Sequence, residues 1–141
     1  MDNLKLFVVE FINQIWNKRN FDVLGDFLHP DFKDHSLPPI LSPDAEGMKK
    51  WILGTSMSFE HQTIIEDQVT EGDKSILKIS MQLMHIGTWR GIEPTGKQLK
   101  TDGYRFYKLK DSKIVEHWAL IDGQAIESQL RSGLHGCKIP G

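Results

Sequence analysis

One change in the spacing of apolar residues constrains this chain more than any other feature. Up to about residue 59 they recur every three or four positions, and beyond it every second position. Leu4, Phe7, Val8, Phe11, Ile12, Ile15 and Trp16 form one stripe of a helix, with Asp2 placed to accept from its free N–H groups. A second, short helix is expected over residues 21–28, capped by Asn20, with Leu24, Phe27 and Leu28 inward and Pro30 as its stop. Residues 31–36 read as a short extended segment carrying His35, followed by a proline-containing loop over 37–40. Ser42 and Pro43 suit the cap and first position of a third helix, whose inner face would be Met48, Trp51, Ile52 and Thr55.

From there the period is two. Strands are expected over 61–70, 75–89, 97–109 and 114–122, with turns at 71–74 and 110–113 and a loop at 91–96. Gly87 is a place for the second strand to bend. A short helix over 124–130 closes a single domain spanning 1–131, and residues 132–141, with three glycines and a proline, read as a flexible tail. Three helices followed by four long strands joined by tight turns predict an α+β fold in which a curled antiparallel sheet encloses a pocket.

The totals remove several function classes. A hydrophobic fraction of 39%, a charged fraction of 26% and a formal charge of −2 describe a globular chain without a basic patch for nucleic acid. No apolar run approaches the roughly 20 residues that span a bilayer, and the first residues lack a secretory pattern, so a soluble, cytoplasmic protein is expected. Cys137 is the one cysteine, which rules out an intrachain disulfide and, in a mobile tail, makes a poor nucleophile.

Two motifs fail on inspection. Residues 91–97 match the spacing G-x-x-x-x-G-K, but Gln98 stands where a hydroxyl would hold magnesium, and the segment opens a strand rather than a helix. Six histidines invite a metal site, yet none are spaced i, i+4 on a helix, and Glu116 and His117 point to opposite faces of their strand. No metal and no cofactor are expected.

The last strand carries the chemistry. Ile114, Glu116, Trp118, Leu120 and Asp122 share one face, and Val115, His117, Ala119 and Ile121 the other. A carboxylate ending a face of Trp and Leu, if buried, has its pKa raised toward the range useful for proton transfer. The competing reading makes Asp122 the cap of the closing helix.

At this point a resemblance becomes visible. The run His85-Ile86-Gly87-Thr88-Trp89-Arg90-Gly91-Ile92-Glu93-Pro94-Thr95-Gly96-Lys97 resembles the H-x-G-x-x-x-G-x-x-P-T-G-K hairpin of SnoaL-like polyketide cyclases. Tyr104-Arg105-Phe106 through Lys113-Ile114-Val115-Glu116-His117-Trp118 to Asp122, and the early segment from His29 to His35, resemble the same family. The resemblance implies a nuclear transport factor 2-like cone of cystatin-like topology, usually a homodimer, with the family's catalytic aspartate at Asp122. It also implies an intramolecular aldol closure without metal or cofactor. Ser112 departs from the glycine common at that turn.

The expected enzyme is thus a cofactor-independent polyketide (ester) cyclase. Asp122 would move the proton and His35 and His85 would orient or stabilise an oxyanion, while Trp118, Tyr104, Asp102, Trp51, Trp89 and Phe106 would line the pocket for a hydrophobic or aromatic molecule. Register is left open. A two-residue turn at Asp111-Ser112 puts Arg105 and Tyr107 on the face of Trp118. A three-residue turn with a bulge, favoured because it clusters aromatics around the acid, puts Asp102, Tyr104 and Phe106 there. Two alternatives stand beside the cyclase. One is a non-catalytic ligand-binding module in which Asp122 is only a cap. The other is an epoxide-hydrolase-like or isomerase-like use of the cone, with Asp102, Arg105 and Asp122 as the acid–arginine–acid set.

Overall fold

The computed structural model describes residues 2–136. Of the segment expected to be a flexible tail, residues 132–136 instead form the end of the closing helix, and residues 137–141, with Cys137, lie outside the described residues. The element order is α1 (Asp2–Phe11), a π-helical turn (Ile12–Asn17), a 3-10 turn (Phe21–Val23), α2 (Leu24–Phe27), β1 (Leu28–Asp34), α3 (Ala45–Ser58), β2 (Phe59–Glu71), β3 (Lys74–His85), β4 (Gln98–Lys110), β5 (Lys113–Ile121) and α4 (Gly123–Gly136). The sheet order is β1-β5-β4-β3-β2. The four long strands are antiparallel neighbours, while β1, the segment expected only as a short extended piece, adds to β5 in parallel.

The expected α1 stripe is buried from Val8 through Trp16. Each such side chain contributes roughly 1.5–3 kcal/mol of burial, enough to hold α1 across the inner face of the sheet. The stripe is completed by a change of helix type. The π-helical turn keeps Ile15 and Trp16 inward and swings Asn17 to the free edge of β2, where its amide donates to Thr63 O (3.1 Å) and accepts from Thr63 N–H (2.7 Å). The chain leaves this turn through Arg19, a non-glycine residue with φ 54°.

Three local expectations are corrected. The helix expected over 21–28 is a 3-10 turn followed by the four-residue α2, without a side-chain cap from Asn20, and Leu28 already begins β1. Asp44, not Ser42, caps α3: its carboxylate accepts from Gly47 N–H (3.1 Å), and Ser42 Oγ donates to that carboxylate (2.7 Å). Strand β3 ends at His85 rather than Trp89, because the next residues leave the ladder and lie on α3's end, where Ile86 and Gly87 donate to Ser58 O. Gly87 is required there, since a Cβ would sit 2.1 Å from Met57 O.

The register at the β4–β5 turn combines both alternatives. The turn has two residues, Asp111 and Ser112, both left-handed (φ 52° and 63°), which is type I′ geometry. After two paired residues, a bulge at Val115 moves the pairing from Leu109–Ile114 to Lys108–Glu116. That shift puts Tyr104 and Phe106 opposite Leu120 and Trp118, as favoured, and leaves Arg105 and Tyr107 opposite Ala119 and His117.

Candidate functional site

Burial decides which face of β5 is inside. His117 is 2% exposed, whereas Trp118 is 39% and Leu120 77% exposed. The interior of the cone is therefore built by the other alternation: Arg105 and Tyr107 from β4, His117 from β5, Asp34 at the end of β1, His61 from β2 and Trp16 from the π-helical turn. All six are buried.

Their hydrogen bonds fix protonation. His117 Nδ1 is 2.9 Å from Asp34 Oδ2, and His117 Nε2 is 3.3 Å from Arg105 Nη1. A guanidinium only donates, so Nε2 accepts and Nδ1–H donates to the carboxylate. His117 is held neutral: burial lowers its pKa and the Arg105 charge adds to this, against the pull of Asp34. Burial by itself would raise Asp34, but the bond and charge of His117, with the Ser36 hydroxyl and N–H, outweigh it and hold the carboxyl below its usual value. Burial likewise lowers Arg105, with Tyr107 and Asp34 opposing. The chain Asp34⁻, neutral His117, Arg105⁺ is net neutral, which is the condition for burying two charges.

The array has donors to spare. Arg105 Nε, Tyr107 Oη and Trp16 Nε1 are buried with no partner, although Arg105 lies 4.0 Å over the Trp16 ring and Tyr107 stacks on His117 at 4.6 Å. Burial pushes the Tyr107 phenol well up, so it stays a donor. Beyond Trp16 comes His61, its ring edge-on at 6.1 Å. Two clefts of about 290 and 360 Å³ meet at Asn17 and His61, one bounded by Arg19, Ser56 and Phe59, the other by Glu10, Asn13 and Lys18. A larger groove of about 780 Å³ crosses β2–β4 and is lined mostly by exposed Gln, Glu and Lys side chains, with Gln129 of α4.

The sequence profile of the SnoaL-like polyketide cyclase family matches residues 7–130. The chain belongs to that family. Among solved structures, IdmH of Streptomyces antibioticus, a candidate polyketide cyclase, is 22% identical with a TM-score of 0.82, covering 91% of this chain and 98% of its own. AclR of Streptomyces galilaeus, a candidate hydroxylase, is 23% identical with a TM-score of 0.80, covering 94% and 98%. A candidate polyketide cyclase from Acidithiobacillus ferrooxidans is 21% identical, also at 0.80, covering 92% and 94%. At these identities the neighbours establish the fold, the curved sheet of the nuclear transport factor 2-like proteins. No curated protein matches the sequence.

Within this SnoaL-like frame the residues expected to form the site fall into three places. Most lie together on the outer face of the sheet. His35 stacks on Trp118 (4.5 Å, 13°) and bonds Glu116 (2.9 Å), Phe106 meets Trp118 edge-on, and Tyr104 and Asp102 are exposed beside them. Asp122 ends the same strand face, exposed, and its carboxylate accepts from Ala125 N–H (2.9 Å), the third residue of α4. It occupies the capping role weighed against catalysis.

His85 is fully buried at the far end of β3. Its Nδ1 accepts from Thr95 N–H (3.2 Å), tying down the loop whose sequence looked like a phosphate cradle, while Trp89 packs on Phe59. Strand β4 starts right after that loop, and Lys97 Nζ is spent on Gln129 O (2.6 Å). Trp51 is 44% exposed on the outer side of α3, away from the stripe of Met48 and Ile52. No group of three or more His, Cys, Asp or Glu suited to a metal occurs among the described residues.

Asp34, His61 and His117 of this buried array are not among the residues that the sequence singles out as candidates, and Arg105 enters there only in the acid–arginine–acid alternative. One signal was available: Arg105, Tyr107 and His117 alternate with the outer residues, and in a sheet one alternation must face inward.

Proposed function

We propose that this chain is a cofactor-independent proton-transfer enzyme of the polyketide cyclase type, working from the interior array rather than from Asp122. The observation that carries this reading is the buried Asp34–His117–Arg105 chain, with donors left unpaired beside it inside the family's cone.

An Asp–His pair is a general base whose tautomer and orientation are set by the carboxylate. When a carbonyl ligand enters, Arg105 exchanges its contact with His117 for the ligand's oxygen. That frees Nε2 to take the proton from the carbon α to the carbonyl. The C–H electron pair moves into an enolate, which Arg105 and the Tyr107 hydroxyl stabilise. The enolate carbon attacks a second carbonyl of the same molecule, a C–C bond forms, and the proton on Nε2 returns to the new alkoxide. Nothing is oxidised or reduced.

The test is turnover of β-keto ester substrates able to close by this route. His117→Gln and Arg105→Met should each lose about 10²-fold or more, and Asp122→Asn should keep most of the rate. Undiminished turnover by His117→Gln overturns the reading.

A non-catalytic ligand carrier is the second reading, favoured by the capping role of Asp122. Incorporation of solvent deuterium α to the carbonyl of a bound ketone separates the two, since a carrier leaves that position unexchanged.

A further inference from the structure

His61 is buried on the inward face of β2, and its two nitrogens have unequal surroundings. Nε2 lies 2.8 Å from Ser56 Oγ, and that hydroxyl also lies 2.9 Å from Ile52 O, one turn back in α3. A carbonyl oxygen only accepts, so the hydroxyl hydrogen goes to Ile52 O and the Oγ lone pair receives Nε2–H. Nδ1 is then a bare lone pair, and it is buried without a partner.

A buried acceptor left unpaired calls for a ligand donor. Around it the unpaired groups continue. Thr63 Oγ1, the next inward residue on β2, has no partner, and neither do Trp16 Nε1 and Arg105 Nε. His61 also lines both clefts at Asn17. Protonation does not remove the acceptor at neutral pH, because burial, with Arg19 and Arg105, lowers the ring to about 4.

We infer that His61 determines ligand specificity: its Nδ1 accepts a hydrogen bond from a hydroxyl group of the ligand, so the cone takes phenolic or enolic carbonyl compounds and rejects their ethers. The inference rests on the reading that a carbonyl ligand enters the cone, and it adds what that ligand must carry. The ligand's hydroxyl faces His61 and its carbonyl faces the donors of Arg105 and Trp16. A site built to bond a hydroxyl discriminates strongly against an analogue that cannot donate, because the site's own buried group then stays unpaired.

The probes are 4-hydroxyacetophenone and 4-methoxyacetophenone, titrated calorimetrically at pH 7 against the full chain. Wild type should bind the phenol at least about tenfold more tightly than the ether, and His61→Phe should bind both alike. In wild-type protein labelled with ¹⁵N-histidine, the phenol should shift the His61 Nδ1 resonance and the ether should not. Equal affinities in wild type, binding of neither compound, or discrimination that survives in His61→Phe overturns the inference. Should His61→Phe not fold, an Nδ1 resonance unmoved by the phenol overturns it alone. Neither probe can undergo the aldol closure, so these readouts stand whether or not His117→Gln abolishes cyclisation. Loss of discrimination, in turn, leaves the role of His117 untouched.

Discussion

The two faces of β5 carry nearly the same kinds of side chain and have opposite fates. Outward, Trp118, Leu120 and Asp122 stand at the surface with His35 and Tyr104. Inward, His117 faces Arg105 and Tyr107 in a place closed to solvent. The largest apolar side chains of the strand, Trp118 and Leu120, thus lie on the wet side, and its histidine lies on the dry side. The lesson is that a buried polar group is informative through its partners: His117 is tolerated inside because Asp34 and Arg105 balance each other through it.

The strongest way to break this contrast is to unbalance the inner face. Asp34→Asn leaves Arg105 as an uncompensated buried charge and should cost roughly 3–5 kcal/mol, read as a lower denaturant midpoint at unchanged slope. If the loss is below about 1 kcal/mol, comparable to a surface pair, the inner array is not what the geometry implies.

Acid should act next, and in one direction. His61 is lowered from its ordinary 6.5 to about 4 in the folded protein, so between those values the unfolded chain binds more protons. Stability contributed by neutral His61 is complete above pH 6.5 and is lost as pH falls toward 4. The loss is on the order of 2 kcal/mol once the nearby open clefts are allowed for. His117 is lowered too and adds loss of the same sign. Asp34, also lowered, keeps its contribution down to its ordinary carboxylate range and loses it at lower pH. Urea titrations at pH 7 and pH 4.5 check this, and a His61→Phe variant should flatten the difference.

The outer face should answer more weakly. Asp122→Ala removes one cap bond from α4 and should cost about 1 kcal/mol, seen by thermal unfolding, with cyclisation little changed. Trp118→Ser loses the His35 stack and the Phe106 edge contact and should cost about 1 kcal/mol of monomer stability. The homodimer implied by the family resemblance would have to cover apolar surface of this kind. Sedimentation of wild type and Leu120→Asp therefore sharpens the contrast: a dimer that dissociates in the variant identifies the outer face as an interface.

Much of the fold was legible because it follows from spacing. The α1 stripe, the three hairpin connections and the cap at Asp122 each rest on local chemistry. What was not legible depends on contacts between distant segments. Alternation sorts residues 116–122 into two sets but does not say which is inside, and the pull of Trp118 and Leu120 chose the wrong one. Ile114, expected on their face, is buried instead because the bulge intervenes. The bulge at Val115 has no local signature, and it combines a two-residue turn with the register expected of a three-residue one. Strand β1, interrupted by Pro30, becomes a strand only because β5 offers it an edge. Asp34 and His117, 83 residues apart, meet only after that pairing forms.

The amide of Asn17 has a consequence outside the pocket. Strand β2 is an outer strand of the sheet, and the edge of such a strand is a template on which another chain can extend the sheet. By taking both the N–H and the carbonyl of Thr63, the Asn17 side chain occupies the backbone sites a docking strand would need there. The one-residue widening of the helix that delivers it therefore also blocks edge-to-edge pairing at Thr63.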